Sequence, residues 1–278
     1  MAEKKNEIKP NPSPGYITMP INYSLKKGYI KICRYLFNQK FMKIMGGPLK
    51  GYQWTTGSSY EYLLGNYENP LAIDSFCLWV KPGSVFYDLG ANIGFYAFLA
   101  NRFISTGKIY SFEPSPISRK IFEQHLAINK KLMLHNNISI LPFAISDREQ
   151  EISFSNNEQR RDGNTYISGS TAYTEAKSII IVKCFSIDEL IEQGYEIPDI
   201  IKIDVEGAEF DVLKGAVNTL KKYKPDILLA THECHLPGVK DNCINFLMKL
   251  GYTLKYTGTH NMQVQGLADY IAIHPGKL

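Results

Sequence analysis

The chain predicts an α/β fold in which a mostly parallel sheet carries helices on both faces. Three observations predict it. Apolar strand-like runs at 84–89, 107–112, 138–145, 198–204, 225–231, 252–256 and 269–273 alternate with helical patterns at about 94–104, 115–130, 186–193, 208–222 and 240–250. The first run ends in Asp88-Leu89 and passes through a glycine turn, Gly90-Ala91-Asn92-Ile93-Gly94, straight into a helix. The second, Ile109-Tyr110-Ser111-Phe112-Glu113, also ends in a carboxylate. In an open α/β sheet such a pair leaves a crevice above the strand ends, where a nucleotide-like ligand sits.

Composition sets the outer limits. The chain has 278 residues, 44% hydrophobic and 21% charged, enough for a large core and typical of a globular protein. A net charge of +4 makes no case for nucleic acid. No apolar stretch has the length that crosses a bilayer, and Met1 to Pro14 is polar and proline-rich, without a hydrophobic signal core. Cys33, Cys77, Cys184, Cys234 and Cys243 are scattered and form no Cys-x-x-Cys pair, which suits reduced thiols in a cytoplasm.

Taken in order, residues 1–16 read as a disordered tail, 17–80 as an N-terminal helix and cap, and 81–278 as the main domain. From Tyr23 to Met45, the apolar residues Ile30, Cys33, Phe37, Phe41 and Ile44 recur at helical spacing. Lys26, Lys27, Lys31, Arg34, Lys40 and Lys43 accompany them without an acid. This basic amphipathic helix is expected to pack on the domain rather than anchor it stably to a membrane. Gly46-Gly47-Pro48 ends it. Tyr52, Trp54, Tyr60, Tyr62, Tyr67 and Trp79 then suggest a cap against the mouth of the crevice, able to stack on a ring-shaped acceptor. The strand–helix alternation breaks at about 151–185. There Ile152 to Phe154 and Ile179 to Phe185 read as strands around a polar loop, Asn156 to Ser178, with the length and composition of a lid.

The glycine turn discriminates between cofactors. A dinucleotide fingerprint needs Gly-x-Gly-x-x-Gly, with free amides to hold a pyrophosphate. Here Asn92 takes the second glycine position and Asp88 stands two residues before Gly90. A carboxylate there repels a pyrophosphate but suits the amino group of a methionine moiety. Glu113 is placed to accept both hydroxyls of a ribose. Asp88-x-Gly90-x-x-x-Gly94 with Glu113 therefore favours S-adenosylmethionine over NAD.

Three blocks resemble the FkbM family of adenosylmethionine-dependent methyltransferases. They are Tyr87-Asp88-Leu89-Gly90-Ala91-Asn92-Ile93-Gly94, Ser111-Phe112-Glu113-Pro114, and Ile201-Lys202-Ile203-Asp204-Val205-Glu206-Gly207-Ala208-Glu209, the last continuing as Val212-Leu213-Lys214-Gly215-Ala216. The likeness spans roughly 65–273. It implies a Rossmann-like sheet of seven strands with the last antiparallel, and a cofactor lined by Asp88, Gly90, Ala91, Asn92, Gly94, Glu113 and Pro114. It also implies an adenine contact from Phe143-Ala144-Ile145-Ser146-Asp147, through Ser146 or Asp147. A segment ahead of the first strand, with Tyr67 and Glu68, folds over the cofactor in such proteins. The family includes O-methyltransferases of sugars and natural products, so the implied reaction is methylation of a hydroxyl on a small-molecule or glycan acceptor.

Methyl transfer from a sulfonium is an in-line displacement, so the enzyme mainly aligns the acceptor and removes its proton. The groups for this belong at the ends of the fourth and fifth strands of the core. Asp204 emerges there after Ile200-Ile201-Lys202-Ile203, and His232 opens Thr231-His232-Glu233-Cys234-His235. His232 is the candidate base, with Asp204 positioning the hydroxyl. Glu206 and Glu209 begin the next helix, where acids stabilise the helix dipole, and Glu209 is read in that role. Residues 232–235 cannot all converge on one ion if the strand stays extended, because neighbours then face opposite ways. A metal is not favoured; its alternative form pairs Asp204 with a group at His232 or Glu233. N-methylation, or a non-catalytic module that binds the cofactor and assembles with a partner, are the rival functions. A homo-oligomer is compatible with all of them.

Overall fold

The computed structural model describes residues 23–35, 40–65, 69–155, 179–259 and 265–277. Its centre is a seven-stranded sheet. The strands are β3 (Val85–Leu89), β4 (Lys108–Phe112), β5 (Ile138–Leu141), β9 (Ile200–Ile203), β10 (Asp226–His232), β11 (Thr253–Gly258) and β12 (Leu267–Ile273), in the spatial order β11-β12-β10-β9-β3-β4-β5. β3, β4, β5, β9 and β10 pair in parallel, while β12 runs antiparallel to both β10 and β11. Order therefore reverses at β3, whose neighbours are β4 on one side and β9 on the other. The crevice of an open α/β sheet lies above such a switch point.

Side chains alternate across the sheet and supply both cores. Phe86, Ile109, Ile200 and Leu228 pack on one face with α3 (Pro70–Trp79), α4 (Phe95–Asn101) and α5 (Pro116–Asn129). Tyr87, Phe112, Ile201 and Leu229 pack on the other with α6 (Ile187–Glu192), α7 (Glu209–Lys214), α8 (Val217–Tyr223) and α9 (Val239–Lys249). The helical run at 208–222 divides into α7 and α8 at Gly215-Ala216. Asp188 makes the break tolerable, because its carboxylate accepts the first amides of α8, Asn218 and Thr219, each at 2.9 Å. The apolar run at 138–145 divides as well. After Pro142 the chain leaves β5, and β6 (Ala144–Ile145) joins β8 (Ile179–Phe185) and β7 (Gln150–Ser155) in a three-stranded sheet. The polar loop Asn156 to Ser178 and residues 1–16 lie outside the described residues.

The N-terminal region corrects one expectation. The helix α1 covers only Tyr23–Tyr35, and the Phe41 to Ile44 stretch does not continue it. Phe41–Lys43 is instead a strand, β1, paired antiparallel with β2 (Gln53–Thr55). Tertiary partners overrule the helical spacing. The Gln53 amide donates to Asn129 Oδ1 at 2.7 Å, Asn129 Nδ2 donates back to the Gln53 carbonyl at 2.8 Å, and the Thr55 amide donates to His125 Nε2 at 3.0 Å. Side chains of α5 thus satisfy the open edge of β2. A second correction follows. Trp54, Tyr62 and Tyr52 are buried in the core with Phe95 and Phe98, so they are not free to stack on an acceptor. Among the described residues, no helix is long and apolar enough to cross a membrane, and all five cysteines are free thiols.

Candidate active site

The end of β3 and the turn after it form a cradle of acceptors. Gly90 adopts φ +72°, and a Cβ there would lie 1.9 Å from the Asp204 carbonyl oxygen, so the backbones of the two strand ends touch. The Gly90 and Ala91 amides donate to the Phe112 carbonyl at 3.0 and 3.1 Å. Asn92 is left-handed at φ 49°, and its amide donates to Glu113 Oε2 at 2.8 Å. Glu113 Oε1 accepts from the Ser115 amide at 2.8 Å. Burial lifts the Glu113 carboxyl to about 7 against the pull of these amides. Gly94 has no room for a side chain, because the Phe122 ring would sit 2.3 Å from its Cβ. The Pro114 carbonyl accepts from Arg119 at 2.7 Å.

Asp88 is the most unusual member. It is 1% exposed, and burial raises its carboxyl to about 6 despite the nearby ammonium of Lys202. Lys202 Nζ stands 3.6 Å from Asp88 Oδ1, an ion-pair distance rather than a hydrogen bond. Among the described residues, neither Asp88 oxygen nor Asn92 Oδ1 has a hydrogen-bond partner. Buried acceptors without donors are uncommon, and a donor-rich ligand at the switch point would satisfy them.

Lys202 is a residue that the sequence reading missed. From the middle of β9 it reaches Asp204 Oδ2 at 3.2 Å and the Gly90 carbonyl at 3.2 Å, with its ammonium over the Tyr96 ring. The signal was present. A lone lysine inside Ile200-Ile201-Lys202-Ile203 has to find counter-charges once that strand is buried.

Acids and imidazoles gather beyond β9 and β10. Glu206 adopts φ 55° and Gly207 φ 110°, turning the chain into α7. Glu209, fully buried, accepts the Gly207 amide and His232 Nδ1–H on Oε1, each at 2.8 Å. It does more than the dipole role expected of it. His232 Nε2 lies 3.5 Å from both Asp204 Oδ1 and Glu206 Oε2. Burial alone would lower the His232 pKa, but Glu206, Glu209 and Asp204 outweigh it and hold the imidazole well above its ordinary range. The chain turns after His232, with the His235 amide donating to the His232 carbonyl at 2.8 Å. That turn stacks the two imidazoles 5.3 Å apart and brings His235 Nδ1 to 3.0 Å from Glu206 Oε2. The extended geometry expected for 232–235 therefore does not hold. Glu233 goes elsewhere, accepting the Gly238 and Lys240 amides at the start of α9, which excludes it as a partner of Asp204.

The remaining candidates divide. Ser146 and Asp147 follow β6, and their bonds run to Phe185, Arg148 and Gln150. Tyr67 and Glu68 lie outside the described residues. A small cleft, partly open to solvent, is lined by Tyr96, Lys202, Asp204, Ala230, Asp269 and Tyr270.

The sequence profile of the methyltransferase FkbM domain matches residues 88–254. The hexuronic acid methyltransferase AglP of Haloferax volcanii is 30% identical over 139 residues, covering 49% of this chain and 52% of that protein. The methyltransferase sdnD of Sordaria araneosa is 27% identical over 151 residues, covering 46% of this chain and 58% of that protein. The chain thus spans little more than half the length of these curated relatives. The crystal structure of methyltransferase FkbM from Methylobacillus flagellatus KT superposes with a TM-score of 0.49 at 16% identity, covering 70% of this chain and 44% of that one.

Proposed function

The chain belongs to the FkbM methyltransferase family, and from that premise we propose that it transfers a methyl group from S-adenosylmethionine to a hydroxyl of a sugar-like acceptor. The observation that carries the reading is the buried Asp88 carboxylate, whose oxygens find no well-formed hydrogen bond among the described residues, on a strand paired with the one that leads into the buried Glu113. When bound, the sulfonium cofactor supplies an already activated methyl group. Asp88 would accept from its amino group, and the lone pairs that Glu113 keeps free of the Asn92 and Ser115 amides would accept its ribose hydroxyls. Lys202 stands within ion-pair distance of both the Asp88 and Asp204 carboxylates and favours the charged form of Asp88.

Residues 81–278 form the catalytic domain in this reading, and the described parts of 17–80 brace it. Asp204 takes the acceptor hydroxyl as a hydrogen bond and then as a proton. The carboxylates around His232 raise its pKa above the ordinary value, and its Nε2 stands 3.5 Å from Asp204 Oδ1, where it supports that carboxylate. The sugar-like acceptor is supported by the relative named for hexuronic acid. The test is release of adenosylhomocysteine with a panel of hexuronic acids, neutral sugars and non-sugar alcohols. Turnover confined to the sugars is expected. Turnover only with amines or non-sugar alcohols would reject the acceptor class, and no cofactor binding by calorimetry would reject the whole reading.

A further inference from the structure

We infer that Asp204, Glu206 and His232 form a binding site for one divalent cation, with Glu209 as the positioning residue. The inference deepens the methyl-transfer reading and rests on it for the purpose of the ion. One ligand atom from each of the three residues lies within 4.8 Å of the other two. His232 Nε2 stands 3.5 Å from each carboxylate oxygen. Ligands held at roughly 2.1 Å around a common ion lie about 3.0–3.5 Å apart, so small side-chain rotations would close the set.

The contacts behind these three side chains point the same way. His232 Nδ1–H is committed to Glu209 Oε1 at 2.8 Å, which leaves Nε2 facing the two acids, where an arriving cation would displace the Nε2 proton. A metal-bound imidazole characteristically donates its other N–H to a carboxylate or carbonyl in this manner. Glu209 is fixed in turn by the Gly207 amide. Asp204 divides its oxygens, giving Oδ2 to Lys202 and turning Oδ1 toward His232. Three elements contribute, since Asp204 follows β9, Glu206 sits in the left-handed turn and His232 ends β10.

One imidazole with two carboxylates suits a hard or borderline ion of the magnesium and manganese type. Asp204 also lines the cleft, so an acceptor bound there would meet the ion. A cation would let an anionic sugar, such as one bearing a carboxylate, approach an otherwise acidic edge, and would lower the pKa of a hydroxyl bound to it.

The experiment uses Mn²⁺ as the probe, because it is read without turnover. The full chain, freed of metal by chelation and dialysis, is titrated with Mn²⁺ by electron paramagnetic resonance, and spin-echo modulation is recorded for ¹⁴N of a ligating imidazole. One Mn²⁺ per chain with ¹⁴N modulation is expected. His232→Gln should abolish the modulation and weaken binding at least tenfold, and Glu209→Gln should weaken it by roughly 10–100-fold. Wild-type protein that binds no Mn²⁺, or Mn²⁺ bound with unchanged modulation and affinity in folded His232→Gln and Glu206→Gln, would overturn the inference. Calorimetry with S-adenosylmethionine on the same metal-free sample separates the two readings. Cofactor binding without Mn²⁺ binding sinks the ion site alone, and Mn²⁺ binding without cofactor binding sinks the methyl-transfer reading alone.

Discussion

His125 and His232 are both buried, yet the regions around them treat an imidazole in opposite ways. His125, on α5, stacks on Trp54 at 3.9 Å, accepts the Thr55 amide on Nε2 and donates from Nδ1 to the Ile93 carbonyl at 3.0 Å. Burial pushes its pKa down to about 4, with only that carbonyl opposing. His232 loses as much water but gains three carboxylates, and its pKa moves the other way. The desolvation cost is shared, and the neighbours decide its outcome. A neutral histidine wired to backbone groups holds the N-terminal hairpin to the sheet domain. A histidine set among three carboxylates instead belongs to the cluster proposed above to carry the chemistry.

The largest expected effect breaks or confirms the second half of that contrast. Asp204→Asn should lower the rate of adenosylhomocysteine formation by roughly 10²–10⁴-fold, the usual contribution of a positioned proton acceptor. Affinity for S-adenosylmethionine should stay nearly intact, because Asp88 and Glu113 are untouched. Saturation kinetics beside calorimetry separates the two. Near-normal turnover in a folded Asp204→Asn protein would remove the chemical reading of the acidic cluster.

His125 supplies the next effect, on stability instead of rate. Its folded pKa of about 4 lies below the 6.5 of an ordinary histidine, so in acid the unfolded chain binds the proton first. The contribution is complete above pH 6.5 and is lost as pH falls toward 4, by about 3 kcal/mol in all. Urea unfolding of wild type and His125→Gln should show the variant less stable at pH 7.5 and the gap closing by pH 4.5. A gap that does not change with pH would mean that His125 titrates normally and that the two histidines are not opposites.

The legibility of the chain follows the same division. The seven central strands and the helices between them could be read from apolar runs, most plainly β3, β9 and β10, whose burial on both faces leaves an unbroken signature in sequence. The positions of Asp88, Glu113, Asp204 and His232 at or just past strand ends were legible because strand ends and glycine turns carry local signals. The β1–β2 hairpin was not, since its edge is satisfied by His125 and Asn129, 70 and 76 residues away, while the local spacing of Phe37, Phe41 and Ile44 imitates a helix. Lys202 and Glu209 escaped for a related reason. Their meaning lies in a register, Asp88 opposite Lys202, and in a turn that brings Glu209 under His232, and neither is written in a single segment.

Asp88→Asn sharpens the comparison from the cofactor side. Losing one charge-assisted contact in a shielded pocket costs about 1.5–3 kcal/mol, so affinity for S-adenosylmethionine should fall tenfold or more. The apo protein should respond in the opposite sense. Because the folded carboxyl is raised to about 6, the protein loses stability as pH rises from about 4 through 6, and the amide variant escapes that loss. Calorimetric titration and thermal melts at pH 7.5 should therefore show weaker cofactor binding with an unchanged or higher melting temperature. Wild-type affinity would end the assignment of Asp88 to the cofactor.

The smallest effect tests whether the N-terminal region is only structural. Ile30 and Cys33 of α1 are buried, Arg34 donates to the Ser58 carbonyl at 2.9 Å, and its guanidinium lies over the Tyr60 ring. The opposite side of the helix exposes Leu25, Tyr29, Ile32 and Tyr35, flanked by Lys26 and Lys31. Such a short basic face adsorbs to anionic lipid weakly, by about 1 kcal/mol per lysine near the surface, and salt screens most of it. Vesicle co-sedimentation should leave the protein in the supernatant at physiological salt. At low salt a minor fraction should pellet, and Lys26→Glu with Lys31→Glu should abolish it. Strong pelleting at physiological salt, lost in that double variant, would give this region a binding function of its own and end its standing as the purely structural half of the comparison.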